Sequence, residues 1–175
     1  MATSTGFPAE GGCDCGHIRY RMETPPIMCH ACHCTWCQRE TGSAFVLNAT
    51  IELSRYTNLG ADPILTKIPS ATDKGQCIAR CPKCYIAVWS VYGGNSDMPW
   101  RSVRVGTLDD PNVCPPQCHI YTSTKQKWLK LQDGLPEHAE EYDREKHWDN
   151  ESLERMAKLQ EEIQKLSKEG KNVSL

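Results

Sequence analysis

Seven of the eleven cysteines stand in three tight knots: Cys13-Asp14-Cys15 within Gly11–Gly16, Cys32-His33-Cys34-Thr35-Trp36-Cys37, and Cys81-Pro82-Lys83-Cys84. Thiolates at this spacing are suited to metal chemistry. Zinc takes about four soft or borderline ligands in a tetrahedron. A turn carrying Cys-x-x-Cys aims two sulfurs at one point, and flanking glycines let the backbone close around them. A lone Cys-x-x-Cys also fits redox chemistry. Three knots in one short chain point instead to zinc.

No two-cysteine knot can close a site, so knots must pair across the fold. Seven ligands make one four-cysteine site and one three-cysteine site. A zinc with three protein ligands keeps a position for water or substrate, which makes that site the reactive one. The natural triplet is Cys32, Cys34 and Cys37 on one segment, leaving Cys13, Cys15, Cys81 and Cys84 for the closed site. Spacing also permits Cys34 and Cys37 to join Cys81 and Cys84. Cys29 can serve as a fourth ligand to the triplet, although a buried thiol is the commoner role for it and for Cys77. Cys114 and Cys118 flank Pro115-Pro116 as an incidental pair. His33 and His119 are candidate acid–base groups by type, as are Asp109 and Asp110. For Asp109-Asp110-Pro111, however, a tight turn is the stronger reading. Arg39 and Lys125 are candidate partners for a carboxylate.

The composition limits the setting. An odd cysteine count and a start without a basic or apolar run predict a reducing, cytoplasmic location rather than a disulfide framework. A net charge of −2 gives no basic field for nucleic acid or an anionic membrane. No stretch approaches the roughly 18 apolar residues of a membrane span.

The elements that must hold the knots are mostly short strands. His17–Met22, Phe45–Leu53, Ile64–Ile68, Ile86–Tyr92, Ser102–Val105 and His119–Thr122 have β-branched or aromatic content. Turn residues such as Pro25-Pro26, Asn58-Leu59-Gly60 and Gly93-Gly94-Asn95 separate them. Residues 1–10 read as a flexible N-terminus, 11–136 as a zinc-binding β domain, and 137–175 as an acidic helical extension. The extension holds 11 acidic against 7 basic side chains. In it Leu153, Met156, Leu159, Ile163 and Leu166 recur at three- and four-residue steps. That spacing predicts an amphipathic helix capped by Asp149 or Asn150 and stopped by Gly170. The stripe is expected to pack on its own domain, with a homodimer seam as the other use.

These residues resemble the glutathione-dependent formaldehyde-activating enzyme and centromere protein V family. The match runs from Gly11-Gly12-Cys13-Asp14-Cys15-Gly16 through Cys32–Arg39 and Gly42-Ser43-Ala44-Phe45 to Cys81-Pro82-Lys83-Cys84. It continues through Gly106–Pro111 and His119-Ile120 to Lys125 and Trp128. The resemblance implies a mainly β fold, an irregular complex of small antiparallel sheets around zinc knuckles. It implies two zinc ions per chain: a structural one on Cys13, Cys15, Cys81 and Cys84, and a catalytic one on Cys32, Cys34 and Cys37. It also implies carbon–sulfur lyase chemistry on a small-molecule substrate, with glutathione as co-substrate. Two rivals are a non-catalytic zinc-scaffold binding module and recruitment to another small-metabolite reaction. Where the family's knuckle usually carries glycine after the second cysteine, this chain has Tyr85. A positive φ there would cost about 1–2 kcal/mol, so an altered turn is expected.

Overall fold

Valine, isoleucine and aromatic residues in short runs between turn formers favour strands. The computed structural model of the chain, which describes residues 6–70, 75–93, 97–171 and 173, is built mainly from them. A small sheet has the order β1 (Ala9–Gly12), β2 (Arg19–Met22) and β5 (Tyr56–Asn58), all antiparallel. The larger sheet contains β3 (Met28–Cys32), β4 (Val46–Glu52), β6 (Ile64–Ile68), β7 (Gln76–Arg80), β8 (Ala87–Tyr92), β9 (Trp100–Arg104) and β10 (Cys118–Ile120). Its order is β10-β3-β4-β9-β8-β7-β6. Only the β10–β3 pairing is parallel. The mainly β fold is the one expected; β3 and β7 in the larger sheet and β1 and β5 in the small one add to the runs read from the sequence.

The two sheets share one core. Tyr20 stacks on Tyr56 with ring centroids 5.2 Å apart, and its hydroxyl meets Thr107 Oγ1 at 2.7 Å in the turn after β9. The start of the chain is less free than expected. Ala9 is buried in β1 and Phe7 packs on the core, while residues 1–5 lie outside the described residues. Gly94-Asn95 of the predicted Gly93 turn also lies outside them.

Three α-helices, α1 (Thr35–Thr41), α2 (Arg144–His147) and α3 (Asn150–Lys168), and four single 3-10 turns complete the described structure. The helix α3 has the predicted ends. Asp149 accepts from Ser152 N at 2.7 Å, and Gly170 takes φ 81° with its N–H bonded to Ser167 O. Its buried face of Met156, Leu159 and Ile163 enters the main core together with Trp148. The stripe is thus consumed within the chain, and residues 137–171 are continuous with the β domain. Before α2, the backbone runs beside β10, with His138 N bonded to His119 O at 2.9 Å. No helix among the described residues is long and apolar enough to cross a membrane.

One ion pair anchors α3. Arg155 meets both oxygens of Glu52 at 2.8 and 2.6 Å and donates to Pro25 O at 3.1 Å, with both side chains nearly enclosed. Burial pushes the Glu52 carboxyl up, but the Arg155 hydrogen bonds and charge outweigh it and hold it below its usual range. A carboxyl depressed in the folded state contributes stability above its unfolded pKa of about 4.3 and loses it as pH falls through the lowered value. Arg155→Met is expected to cost about 3 kcal/mol at neutral pH, because it strands a buried carboxylate. Urea denaturation should show Glu52→Leu on that background recovering most of the loss, and the single-variant penalty shrinking near pH 3.

Candidate metal centres

The first centre forms where two chain reversals meet. Strand β1 ends at Gly12, whose backbone lies so close to Ile18 O that an added Cβ would sit 2.1 Å from it. Cys13 N bonds Ile18 O at 3.1 Å, and Gly16, at φ 72°, closes the turn onto Cys13 O at 3.0 Å. Cys81 follows β7, and the second reversal is closed by Tyr85 N on Cys81 O at 3.0 Å. The sulfurs of Cys13, Cys15, Cys81 and Cys84 all lie within 4.8 Å of one another. Ligands about 2.3 Å from a tetrahedral centre stand about 3.8 Å apart, and Cys13–Cys15 and Cys15–Cys81 are 3.5 and 3.6 Å apart. Disulfide sulfurs would be about 2.05 Å apart, and all eleven cysteines are free thiols. Backbone N–H groups point at the sulfurs: Ile18 at Cys13 (3.2 Å), and Lys83 and Cys84 at Cys81 (3.3 and 3.5 Å). Burial opposes ionisation of Cys81, yet those two N–H groups and the neighbouring thiols bring it down to about 6. The four-cysteine set contributes nothing to the cavity described below.

The second centre is local. In a strand, alternate side chains share a face, so β3 puts His30 and Cys32 on one side. Cys34 then caps α1, its sulfur accepting from Cys37 N at 3.3 Å, and the first helical turn brings Cys37 back to it. Cys32, Cys34 and Cys37 gather within the same 4.8 Å limit. The fold therefore groups four and three sulfurs and keeps Cys34 and Cys37 apart from Cys81 and Cys84. Hydrogen bonds from the Cys32 and Cys37 thiols, helped by backbone N–H groups, hold Cys34 far below the ordinary thiol range. Behind Cys37, Asn48 Nδ2 approaches its sulfur at 4.0 Å, and Arg104 Nη1 donates to Asn48 Oδ1 at 2.5 Å. Arg104 is buried, and its Nε and Nη2 have no hydrogen-bond partner among the described residues. An enclosed guanidinium suits a neighbour with excess negative charge, as three thiolates on a divalent cation would be. The donor set, the spacing and this cation all fit zinc.

A cavity of about 330 Å³ opens over the triplet, with Cys32 and Cys34 in its wall. His30 also lines it, held by Tyr142. Trp148 Nε1 donates to Tyr142 Oη at 2.6 Å, and Tyr142 Oη meets His30 Nε2 at 2.8 Å. Burial first, then the charges of Arg144 and His138, lower His30 to about 4, so its ring is neutral at pH 7. Tyr121, in left-handed backbone at φ 57°, bonds Glu141 at 2.9 Å on the same wall. Sequence reading passed over Tyr121, Tyr142 and Trp148. The only signal for His30 was its two-residue step from Cys32.

The two histidines singled out by type stand elsewhere. His33 is fully buried and meets His119 Nδ1 at 2.9 Å, while His119 Nε2 meets Asp133 Oδ2 at 2.8 Å; neither histidine lines the cavity. Burial, with help from His119 and Lys125, lowers His33 to about 4. Cys29 points at Cys114 O at 3.7 Å and is not among the triplet sulfurs, and Cys77 is buried in β7. Asp109 pairs with Arg19, and Asp110 caps the turn at Asn112 N, as the turn reading expected. Lys125 is engaged with Leu129 O at 2.7 Å.

Residues 8–124 match the family model described as glutathione-dependent formaldehyde-activating enzyme. A Halomonas elongata protein provisionally named a glutathione-dependent formaldehyde-activating enzyme is 24% identical over 130 residues, covering 70% of this chain and 80% of that protein. A Rhodobacter sphaeroides protein of known crystal structure is similar at 17% identity and a TM-score of 0.41, over 74% of this chain and 98% of that one.

The knuckle after Cys84 keeps its turn despite the missing glycine. Tyr85 adopts φ 61° instead of altering the turn, with its side chain exposed. Left-handed backbone costs a side-chain-bearing residue about 1–2 kcal/mol, and glycine's greater unfolded-state freedom returns about 0.4–1 kcal/mol of that. Tyr85→Gly should therefore raise stability by about 0.5–1 kcal/mol. A higher urea midpoint at unchanged slope would register it.

Proposed function

The chain belongs to the glutathione-dependent formaldehyde-activating enzyme family, and on that premise we propose that it is a zinc-dependent enzyme of the carbon–sulfur lyase type. Its substrate is the adduct of a small thiol, glutathione by family relationship, with an aldehyde or related electrophile. The contrast between the two centres carries this reading. The four cysteines take no part in the 330 Å³ cavity, whereas the three make a set whose Cys32 and Cys34 form part of its wall.

A zinc ion on three thiolates supplies an open position where a thiol is held ionised at neutral pH, and its electron-rich ligands disfavour hydrolysis. The remaining work falls to the chain. Cys32, Cys34 and Cys37 hold the ion, and the capping geometry of α1 fixes Cys34 and Cys37 relative to each other. The Arg104–Asn48 pair offsets the charge of the sulfurs from behind. The apolar side chains of the cavity wall border the Cys32–Cys34 face, and the Trp148–Tyr142–His30 chain keeps that wall in one arrangement. In the reaction, the thiol sulfur bonds the carbonyl carbon while the C=O π pair moves to oxygen, which gains the proton that the thiol releases. The reverse breaks the same carbon–sulfur bond. No oxidant or reductant is consumed. Cys29, directed at Cys114 O, does not supply the fourth ligand that would make the triplet a closed scaffold.

Metal analysis should find two zinc ions per chain in the wild type and one in Cys34→Ser. Circular dichroism should find the fold of that variant retained, while turnover of glutathione–aldehyde adducts falls at least a hundredfold. Cys81→Ser should instead lose the fold. Undiminished turnover in Cys34→Ser, or a wild-type chain purified under reducing conditions without zinc, would sink the reading.

A further inference from the structure

Adding a thiol to a carbonyl moves one proton from sulfur to oxygen, and some group in the cavity must carry it. The histidines singled out by type do not, since His33 and His119 line no part of the cavity. His30 does line it but is tied through Nε2 to Tyr142. Among the described residues that line the cavity with Cys32 and Cys34, Glu141 is the one carboxylate. Tyr121, on the same wall, donates its hydroxyl proton to Glu141 Oε1 at 2.9 Å.

The backbone places Tyr121 beside the triplet. Ile120, the last residue of β10, is paired in register with Cys32. Its carbonyl accepts from the N–H of His33, between Cys32 and Cys34, at 3.0 Å. On the other side of Tyr121, Thr124 Oγ1 reaches both Tyr121 O and His33 O, at 3.2 and 3.1 Å. Tyr121 itself packs against the buried cluster that contains Cys32 and Cys37. It holds φ 57° and ψ 40°, a left-handed backbone that a side-chain-bearing residue adopts only where its surroundings impose it. Burial first, then Glu141 and the nearby sulfurs, push the phenol up, so its O–H is intact at neutral pH. Other charges surround the pair: Arg144 lines the same cavity, Glu140 is bonded by Ser123 Oγ at 2.5 Å, and the charge of Glu141 is felt by Cys118 on β10.

We infer that Tyr121 is a catalytic residue that relays the proton of the reaction, and that Glu141 behind it stores the proton between the two halves. This rests on the carbon–sulfur reading above and names the proton carrier for it. In the first half the S–H bond of the incoming thiol breaks and its proton goes to Tyr121 Oη. The Tyr121 proton passes at the same time to a Glu141 carboxylate oxygen. In the second half the sulfur pair bonds the carbonyl carbon and the C=O π pair moves to oxygen. That oxygen takes the Tyr121 proton while Glu141 returns its own to Oη. Both side chains end as they began, and cleavage of the adduct runs the same transfers backwards. The order follows from the hydrogen bond that is present. While Oη donates to an ionised Glu141, its lone pairs can accept but its proton is engaged. Protonation of Glu141 reverses that bond and frees the Tyr121 proton for the carbonyl oxygen.

The test uses the full-length chain with zinc bound. Exchange of glutathione and formaldehyde with their adduct is followed by NMR in wild type, Tyr121→Phe and Glu141→Gln. The first substitution removes only a hydroxyl, and the second changes an exposed side chain. Tyr121→Phe should lower kcat about a hundredfold, with KM moved by less than about twofold and the zinc content unchanged. Wild-type kcat for addition should rise with pH as Glu141 ionises, because only the carboxylate can take the proton. Glu141→Gln should lower kcat about as far and abolish that rise. A kcat within about threefold of wild type in Tyr121→Phe, or a wild-type pH profile in Glu141→Gln, overturns the inference. Thiol ligation without any aldehyde separates the two claims. With cobalt in place of zinc, stopped-flow absorbance reports the glutathione sulfur joining the metal. Both variants should slow that step about tenfold and remove its solvent deuterium isotope effect. If they do so while the wild type turns over no adduct, the lyase reading fails and the relay stands. If ligation is equally fast in all three proteins, the relay fails whatever the turnover. If the wild type ligates no thiol, both fail.

Discussion

Crowding several ionisable sulfurs into a few ångströms is the constraint on which the rest of the structure depends. Without a cation, thiolates at such distances repel one another, so the backbone must supply compensating N–H groups and a fixed geometry. Both centres do this with reversals in which the cysteines are themselves turn residues. Cys81 accepts from two N–H groups of its own knuckle, and Cys34 caps the helix that carries Cys37. Yet the consequences differ. Cys13 and Cys15 are separated from Cys81 and Cys84 by the whole of β2 to β7, so this cluster joins the small sheet to the large one. Closing so long a loop costs chain entropy that only a strong local interaction offsets. The Cys32–Cys34–Cys37 set spans six residues and closes almost nothing, which leaves its ligand geometry free to serve a substrate.

This division explains where the cavity lies. Strand β3 ends at Cys32 between β10 and β4, near the edge of the large sheet. Beyond β10 the sheet is continued by the irregular segment after Pro136, through the His119–His138 backbone bonds. That segment then turns over the sheet as α2 and α3, held by Arg155 on Glu52 and by Ser152 Oγ on Ile27 O at 2.8 Å. The roof over the triplet is thus made of late residues fixed by contacts to early ones.

Such long-range contacts set what the sequence could disclose. Helix α3 was legible to its caps because the 3–4 spacing, Asp149 and Gly170 act within a few residues of one another. The two sulfur groups were legible as an arithmetic of ligands, although spacing left their pairing open until the fold separated them. Strands β3 and β7 were not read because both are buried on nearly every residue, which erases the two-residue alternation. Helix α1, seven residues long, is held by its cysteine cap rather than by an apolar stripe. His33 and His119 attracted attention by type, but they are buried against each other and line no part of the cavity over Cys32 and Cys34. Tyr142 and Trp148 carried no local signal at all, since their role comes from meeting His30, more than a hundred residues earlier.

The charge around the triplet bears on how its crowded sulfurs are tolerated. Three cysteinates already exceed the charge of a divalent cation, and an incoming thiolate adds one more negative charge. Arg104 is enclosed behind Cys37, linked through Asn48, with two guanidinium nitrogens unpartnered among the described residues. Burying an arginine so incompletely satisfied is costly unless negative charge stands close by. The cation is therefore understandable as a fixed counter-charge to the negative charge of the clustered sulfurs.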